Sequence, residues 1–94
     1  MSKTPLGDLR FQERRALLEG LAVTLSRNAS WAADEGDEAL EMVMRSVGNA
    51  LMATAGDISR TDLGLAEDIA RRAMVLIMSF HCRYPDYPVG PTLH

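Results

Sequence analysis

The chain has 94 residues, 47% hydrophobic and 24% charged, the balance of a single globular domain rather than a disordered segment. Ten basic against thirteen acidic residues leave a net charge of −3, which argues against a protein that works on phosphate backbones or anionic membranes, so neither nucleic acid nor membrane is an expected partner. One cysteine excludes an internal disulfide, and the opening MSKTPLGDLRF lacks the apolar core of a signal peptide, so a cytoplasmic protein is expected.

Residues 1–7 are polar, contain Pro5 and read as a flexible N-terminal arm of the single domain 1–94. Asp8 can cap a first helix over Leu9 to Asn28, in which Phe11, Leu17, Leu18, Leu21, Ala22 and Leu25 form a broad apolar face opposite Arg14, Arg15 and Glu19. Gly20 inside that helix costs about 1 kcal/mol relative to alanine, a cost usually tolerated for close helix packing. From Asn28 to Asp37 the pattern allows two solutions: continuation along Ala29, Ala32 and Ala33, or a break at Asn28 and a restart after Ser30. Gly36 followed by Asp37 is the clearer punctuation, a helix stop and then an N-cap, and places the break there. Trp31, the only tryptophan, either packs over the end of the bundle or offers an anchor to a partner.

A second helix is predicted over Glu38 to Thr54, with Leu40, Val43, Met44, Val47 and Leu51 on one face and Glu41 paired with Arg45 one turn on. Ala39, Ser46, Gly48, Ala50 and Ala53 give it a small-residue side against which a neighbour can lie close. Ala55, Gly56 and Asp57 end it, and so short a connection predicts that the second and third helices form an antiparallel hairpin, with the first helix added to it.

The third helix is predicted over Ser59 to Cys82. Ser59 and Asp62 have the spacing of a capping box, and Ile58 and Leu63 that of a hydrophobic staple. Leu63, Ala66, Ala70, Ala73, Ile77 and Phe80 recur at steps of three and four, beside a second stripe of Leu65, Ile69 and Leu76. Glu67 with Arg71 and Asp68 with Arg72 mark an exposed face in the first half. That face disappears after Ala73, where only Ser79 and His81 interrupt the apolar run. About eight apolar residues in a row fall far short of the roughly twenty that cross a bilayer. A three-helix bundle would leave Val75, Met78 and Cys82 outside, at about 1.5–3 kcal/mol for each large apolar side chain left unburied. A homodimer through the third helix, or an obligate partner on it, follows, with Leu76, Ile77, Phe80, Ala73, Met74, Met78 and Tyr84 as the candidate dimer interface.

Residues 83–94, RYPDYPVGPTLH, carry Pro85, Pro88 and Pro91 at every third position, the period of polyproline II, and read as an extended Pro/Tyr tail with Tyr84 and Tyr87 along one edge. Stiffened in this way, the tail is expected to lay its tyrosines across the bundle or the dimer mate.

No phosphate loop, nucleophile elbow, zinc-protease helix or calcium loop is present, and no catalytic residue, cofactor or metal is expected. His81 and Cys82 are adjacent and point about 100° apart on a helix, a poor pair for one metal. Asp34, Glu35, Asp37, Glu38 and Glu41 read first as helix-dipole complements and second as a patch for a basic partner. The apolar character of the third helix argues against a helix-turn-helix, whose second helix has to present polar groups to bases. The sequence therefore predicts an all-α, three-helix, homodimeric interaction module, a small regulator that sequesters a larger protein, as an anti-activator of a transcription factor would. Trp31, Leu17, Leu21, Phe11 and Glu35 are its candidate partner-binding residues. A chaperone or an antitoxin would need the same surface, and a ligand-binding or catalytic pocket at the dimer interface, with His81 and Tyr84 at its mouth, is the alternative of a different class.

Overall fold

The structure, a computed structural model, describes the backbone of residues 3–57 and 63–88 and the side chains of residues 12–57 and 64–88. Three helices make up the described residues, α1 (Lys3–Asp34), α2 (Glu38–Gly56) and α3 (Leu63–Arg83), and no strand occurs among them. α1 is one piece of 32 residues, about 48 Å long at 1.5 Å per residue, and accounts for most of the molecule's 52 Å length. One expectation differs from it and another is met. The arm is helical from Lys3, because Pro5 falls in the first turn, where a missing N–H costs nothing. The helix runs on through Asn28 and Ser30 to Asp34, because Ala29 and Ala32 extend its buried stripe without interruption, and the break falls at Gly36, where the sequence placed it. The cap expected at Ser59 and Asp62 lies outside the described residues.

The α1–α2 turn folds as its residues dictate. Gly36 adopts φ +78°, the left-handed conformation that glycine tolerates. Its N–H then donates to the Ala33 carbonyl at 3.0 Å while that of Asp37 donates to Ala32 at 2.8 Å, the double closure of a Schellman ending. Asp37 at once begins α2: its Oδ1 accepts from the Leu40 N–H at 3.4 Å, the N-cap expected from the sequence. At the far end of α2, Arg15 donates from Nε to the Ala55 carbonyl at 3.0 Å and from Nη2 to Gly56 at 3.4 Å, covering carbonyls that the helix leaves open.

These two tethers make α1 and α2 the antiparallel hairpin, with α3 laid along it parallel to α1. α2 and α3 are therefore antiparallel as well and pack together, as the short connection between them predicts. α1 took the central place because its apolar residues span more than one face: Ala22 and Leu25 meet α2 beside Gly48, whereas Leu17 and Leu18 line a groove with Ala66 and Ala70 of α3. The core comprises Leu18, Leu21, Leu25, Met44, Leu51, Ile77 and Phe80, joined by Ala29, Ala32, Ala55 and Ala73. From Ala66 to Phe80 the alternating stripe predicted for α3 is therefore the buried one; the Leu63 side chain lies outside the described residues. Ala39, Ser46 and Ala53 of α2's small-residue side face outward instead of meeting a neighbour. Of the predicted ion pairs, Glu41–Arg45 forms at 3.0 Å, and Asp68 holds Arg72 at 3.3 Å and also takes Arg71, at 3.8 Å.

Candidate interaction surface

Three regions of the folded chain have the chemistry of contact sites, and they differ in what covers them. The first is the outer face of α3. Val75, Met78 and Cys82 follow one another at helical spacing and are exposed, Val75 by 57% and Met78 by 61%, with Ser79 between them and Met74 half-exposed on the flank. No charge interrupts this face from Val75 to Cys82; Arg71 and Arg72 bound it at one end and Arg83 at the other. The residues predicted to be left over by a three-helix bundle are the ones left over.

Most of the predicted dimer interface is elsewhere. Ala73, Ile77 and Phe80 are fully buried in the core of their own chain, and Leu76 and Tyr84 are half-buried against it, so of the seven candidates only Met74 and Met78 face solvent. An apolar helix must give one side to its own fold first, and here the stripe with the small residues, which lets α1 approach, is the side given. The predicted partner-binding set divides likewise. Leu21 is buried at 1% exposure, Leu17 is half-exposed beside Ala66 and Ala70, and the Phe11 side chain lies outside the described residues.

Trp31 and Glu35 belong to the second region, a clasp at the end of the bundle, where Trp31 packs as one of its two sequence readings had it. Beyond α3 only residues 84–88 are described, and over them the chain turns where polyproline II was expected; Pro91 lies outside the described residues. Tyr84-Pro85-Asp86-Tyr87 closes a turn, the Tyr87 N–H reaching the Tyr84 carbonyl at 3.3 Å, with proline at the position that favours its fixed φ. The turn carries both tyrosine rings onto the bundle: Tyr87 stacks on Trp31 with centroids 4.8 Å apart, Tyr84 tilts against Phe80 at 5.2 Å, and Trp31 stacks on Phe80 at 6.0 Å. Their hydroxyls end on the acidic run. Tyr84 donates to Asp37 Oδ2 at 2.9 Å, Arg83 Nη1 donates to the same oxygen at 2.6 Å, and Tyr87 donates to Glu35 Oε2 at 2.8 Å. The expectation that the tyrosines lie across the bundle holds, by a turn in place of a rod. Of the patch considered for a basic partner, Glu35 and Asp37 already hold this chain's own arginine and phenols.

The charges follow the geometry. The Arg83 hydrogen bond, then that of Tyr84, holds the Asp37 carboxyl below its ordinary 3.8. Partial burial, and the charge it donates to, push the Tyr84 phenol above its ordinary 10.0, and the bond to Glu35 does the same for Tyr87.

The third region lies in the seam between α1 and α3. Leu17, Leu21, Thr24, Asn28 and Trp31 recur at steps of four and three and form the stripe of α1 that turns to α3. Asn28 is fully buried on it, and neither its Oδ1 nor its Nδ2 has a hydrogen-bond partner among the described residues. Thr24 by contrast donates to the Gly20 carbonyl at 3.0 Å, which satisfies its hydroxyl in place. Around the Trp31–Phe80 pair lie two more such groups. Arg27 holds its guanidinium 5.2 Å over Trp31 with Nε and Nη2 buried and unbonded, and His81 packs edge-on to Phe80 with both ring nitrogens likewise unbonded. His81 thus faces inward, and the Tyr84 hydroxyl is engaged by Asp37. The signal for this region was in the sequence: an asparagine on a stripe otherwise read as apolar.

Among the described residues no group of three or more His, Cys, Asp or Glu is placed to hold a metal ion, and no helix is long and apolar enough to cross a membrane. No family model, no curated protein and no solved structure matches the chain, and what it does must be argued from these surfaces.

Proposed function

We propose that this protein is a non-enzymatic interaction module: a homodimer that joins through the outer face of α3 and works as a small regulator, holding a larger protein in an inactive state. The single observation that carries the proposal is the Val75–Met78–Cys82 face, two turns of helix without a charge on the outside of a chain whose core is already filled by the opposite side of the same helix. Methionine suits such a face, since its unbranched, polarisable side chain adapts to whatever it meets. An anti-activator that covers the dimerisation surface of a transcription factor is the form of regulator that agrees with a small acidic helical dimer. A chaperone or an antitoxin would use the same face.

The test is the solution mass of the purified protein, measured by light scattering over a dilution series, for the wild type and for Met78→Asp. The wild type is expected at the mass of two chains. Met78→Asp is expected at the mass of one, with its helical circular dichroism unchanged, because Met78 contributes little to its own core. A wild-type protein that stays monomeric at every concentration overturns the dimer, and a Met78→Asp variant that remains dimeric moves the interface off this face.

A further inference from the structure

Among the described residues, the buried side-chain nitrogens and oxygens that lack a hydrogen-bond partner belong to three residues alone, Arg27, Asn28 and His81. All three lie where α1 and α3 meet; none lies between α1 and α2. A buried amide with both ends unpaired weakens the packing that buries it, whereas the α1–α2 contact, with its close approach at Gly48 and its Arg15 cap, carries no such group. α3 is therefore the less tightly held of the two neighbours of α1, fastened at its end by the clasp to Asp37 and Glu35.

We propose that the stripe of α1 beneath α3, from Leu17 to Trp31, is a helix-binding groove in which α3 is the resident, and that its partner is an amphipathic helix of another protein carrying an amide or hydroxyl group opposite Asn28. A second copy of this chain is not that partner, because its α3 brings the same side chains and leaves the Asn28 amide as unpaired as before. A foreign helix with one polar group at that level forms the missing hydrogen bonds and gains over α3 there, as a single buried asparagine does in selecting partners in coiled coils. Leu21, buried beneath α3 in the free protein, becomes a contact residue once α3 is displaced. The proposal rests on the reading of the protein as a binding module, but not on the dimer, so the solution mass can fail without touching it.

Ala70, Met74, Ile77 and His81 follow at steps of four, three and four along α3, with Ala70 against Leu17 and Leu18 of α1, Ile77 buried and Met74 at the half-exposed margin, and they define the experiment. Synthetic peptides of the α3 sequence, residues 63–83, are prepared unsubstituted and with asparagine at each of these four positions in turn, and their binding to the full-length protein is compared by fluorescence anisotropy. One substituted peptide is expected to bind about tenfold more tightly than the unsubstituted one, the order of a buried hydrogen bond to an amide left unpaired, and to lose that advantage against Asn28→Leu protein. If no substituted peptide outbinds the native sequence, or if the gain survives Asn28→Leu, the proposal fails. Asn28→Ala repeats the comparison should leucine not fold. Hydrogen exchange of the wild-type protein supplies the second readout: amides of α3 are expected to open about tenfold more often than those in the middle of α1 and α2, and exchange of all three helices as one unit overturns the displacement.

Discussion

Asp37 is the residue on which most of the molecule converges. It closes α1 through its N–H, opens α2 through Oδ1 and receives Arg83 and Tyr84 on Oδ2. Because its carboxyl is held below the ordinary value, it binds a proton less readily folded than unfolded, so the stability it contributes is full above about pH 4 and is lost as the pH falls through the lowered value. Thermal melts of the wild type and of Asp37→Asn are expected to differ by several degrees at neutral pH and to converge in acid; parallel pH profiles would remove the clasp as a source of stability. The tyrosines act in the opposite sense. Their raised values mean that the stability they lend is complete below pH 10.0 and declines as the pH rises further. Two glycines make a second comparison at this scale. Gly36→Ala forces a side chain into the left-handed region and is expected to destabilise by about 1–2 kcal/mol. Gly48→Ala finds only ordinary contacts at 3.8 Å, to the Ala22 carbonyl oxygen and Leu25 Cβ, and is expected to stabilise α2 by about 0.5–1 kcal/mol. Urea denaturation of both variants checks the two signs together.

Among the elements, the helices and their punctuation were legible because their signals are local. Gly36-Asp37 states a stop and a start in two residues, and the 3–4 repeat from Ala66 to Phe80 marks the buried side of α3 without reference to anything else. Pairing was legible only in part, since it depends on which of several apolar faces meet. α1 carries apolar residues toward both neighbours, so its central place could not be read from one stripe, whereas the short connection after Gly56 did make α2 and α3 antiparallel neighbours. The same ambiguity put Ala73, Ile77 and Phe80 at a dimer interface while the fold had use for them inside. The trio Val75, Met78 and Cys82 could be read because subtraction finds it: those are the positions that one core cannot reach. The tail escaped for a different reason. A proline every third residue suggests a rod, but Tyr84-Pro85-Asp86-Tyr87 also suits a turn, and the decision lay with acceptors at Glu35 and Asp37, some fifty residues earlier in the chain.

At the scale of the whole molecule, the arrangement is a two-helix frame bound at both ends, by the Gly36–Asp37 turn and by Arg15 on the last carbonyls of α2, with a third helix resting against it. A dimer formed on the outer face of α3 would hold that third helix from the side its own chain does not reach. Folding and association are then linked, and the melting temperature is expected to rise with protein concentration, because mass action favours whatever state binds a second copy. Scanning calorimetry over a hundredfold range of concentration checks this, with Met78→Asp as the reference that should show no such dependence. A concentration-independent melt in both proteins would assign the exposed face to a different occupant.

The only tryptophan of the chain lies at the junction of frame, third helix and tail, with Arg27 on it, Tyr87 stacked against it and Phe80 beside it. The protein consequently carries an optical reporter at the place where its parts come together. Indole emission from Trp31 follows the undocking of the tail and the departure of α3 as separate events, the first by loss of a stacked phenol and the second by entry of water, with no label attached to the chain.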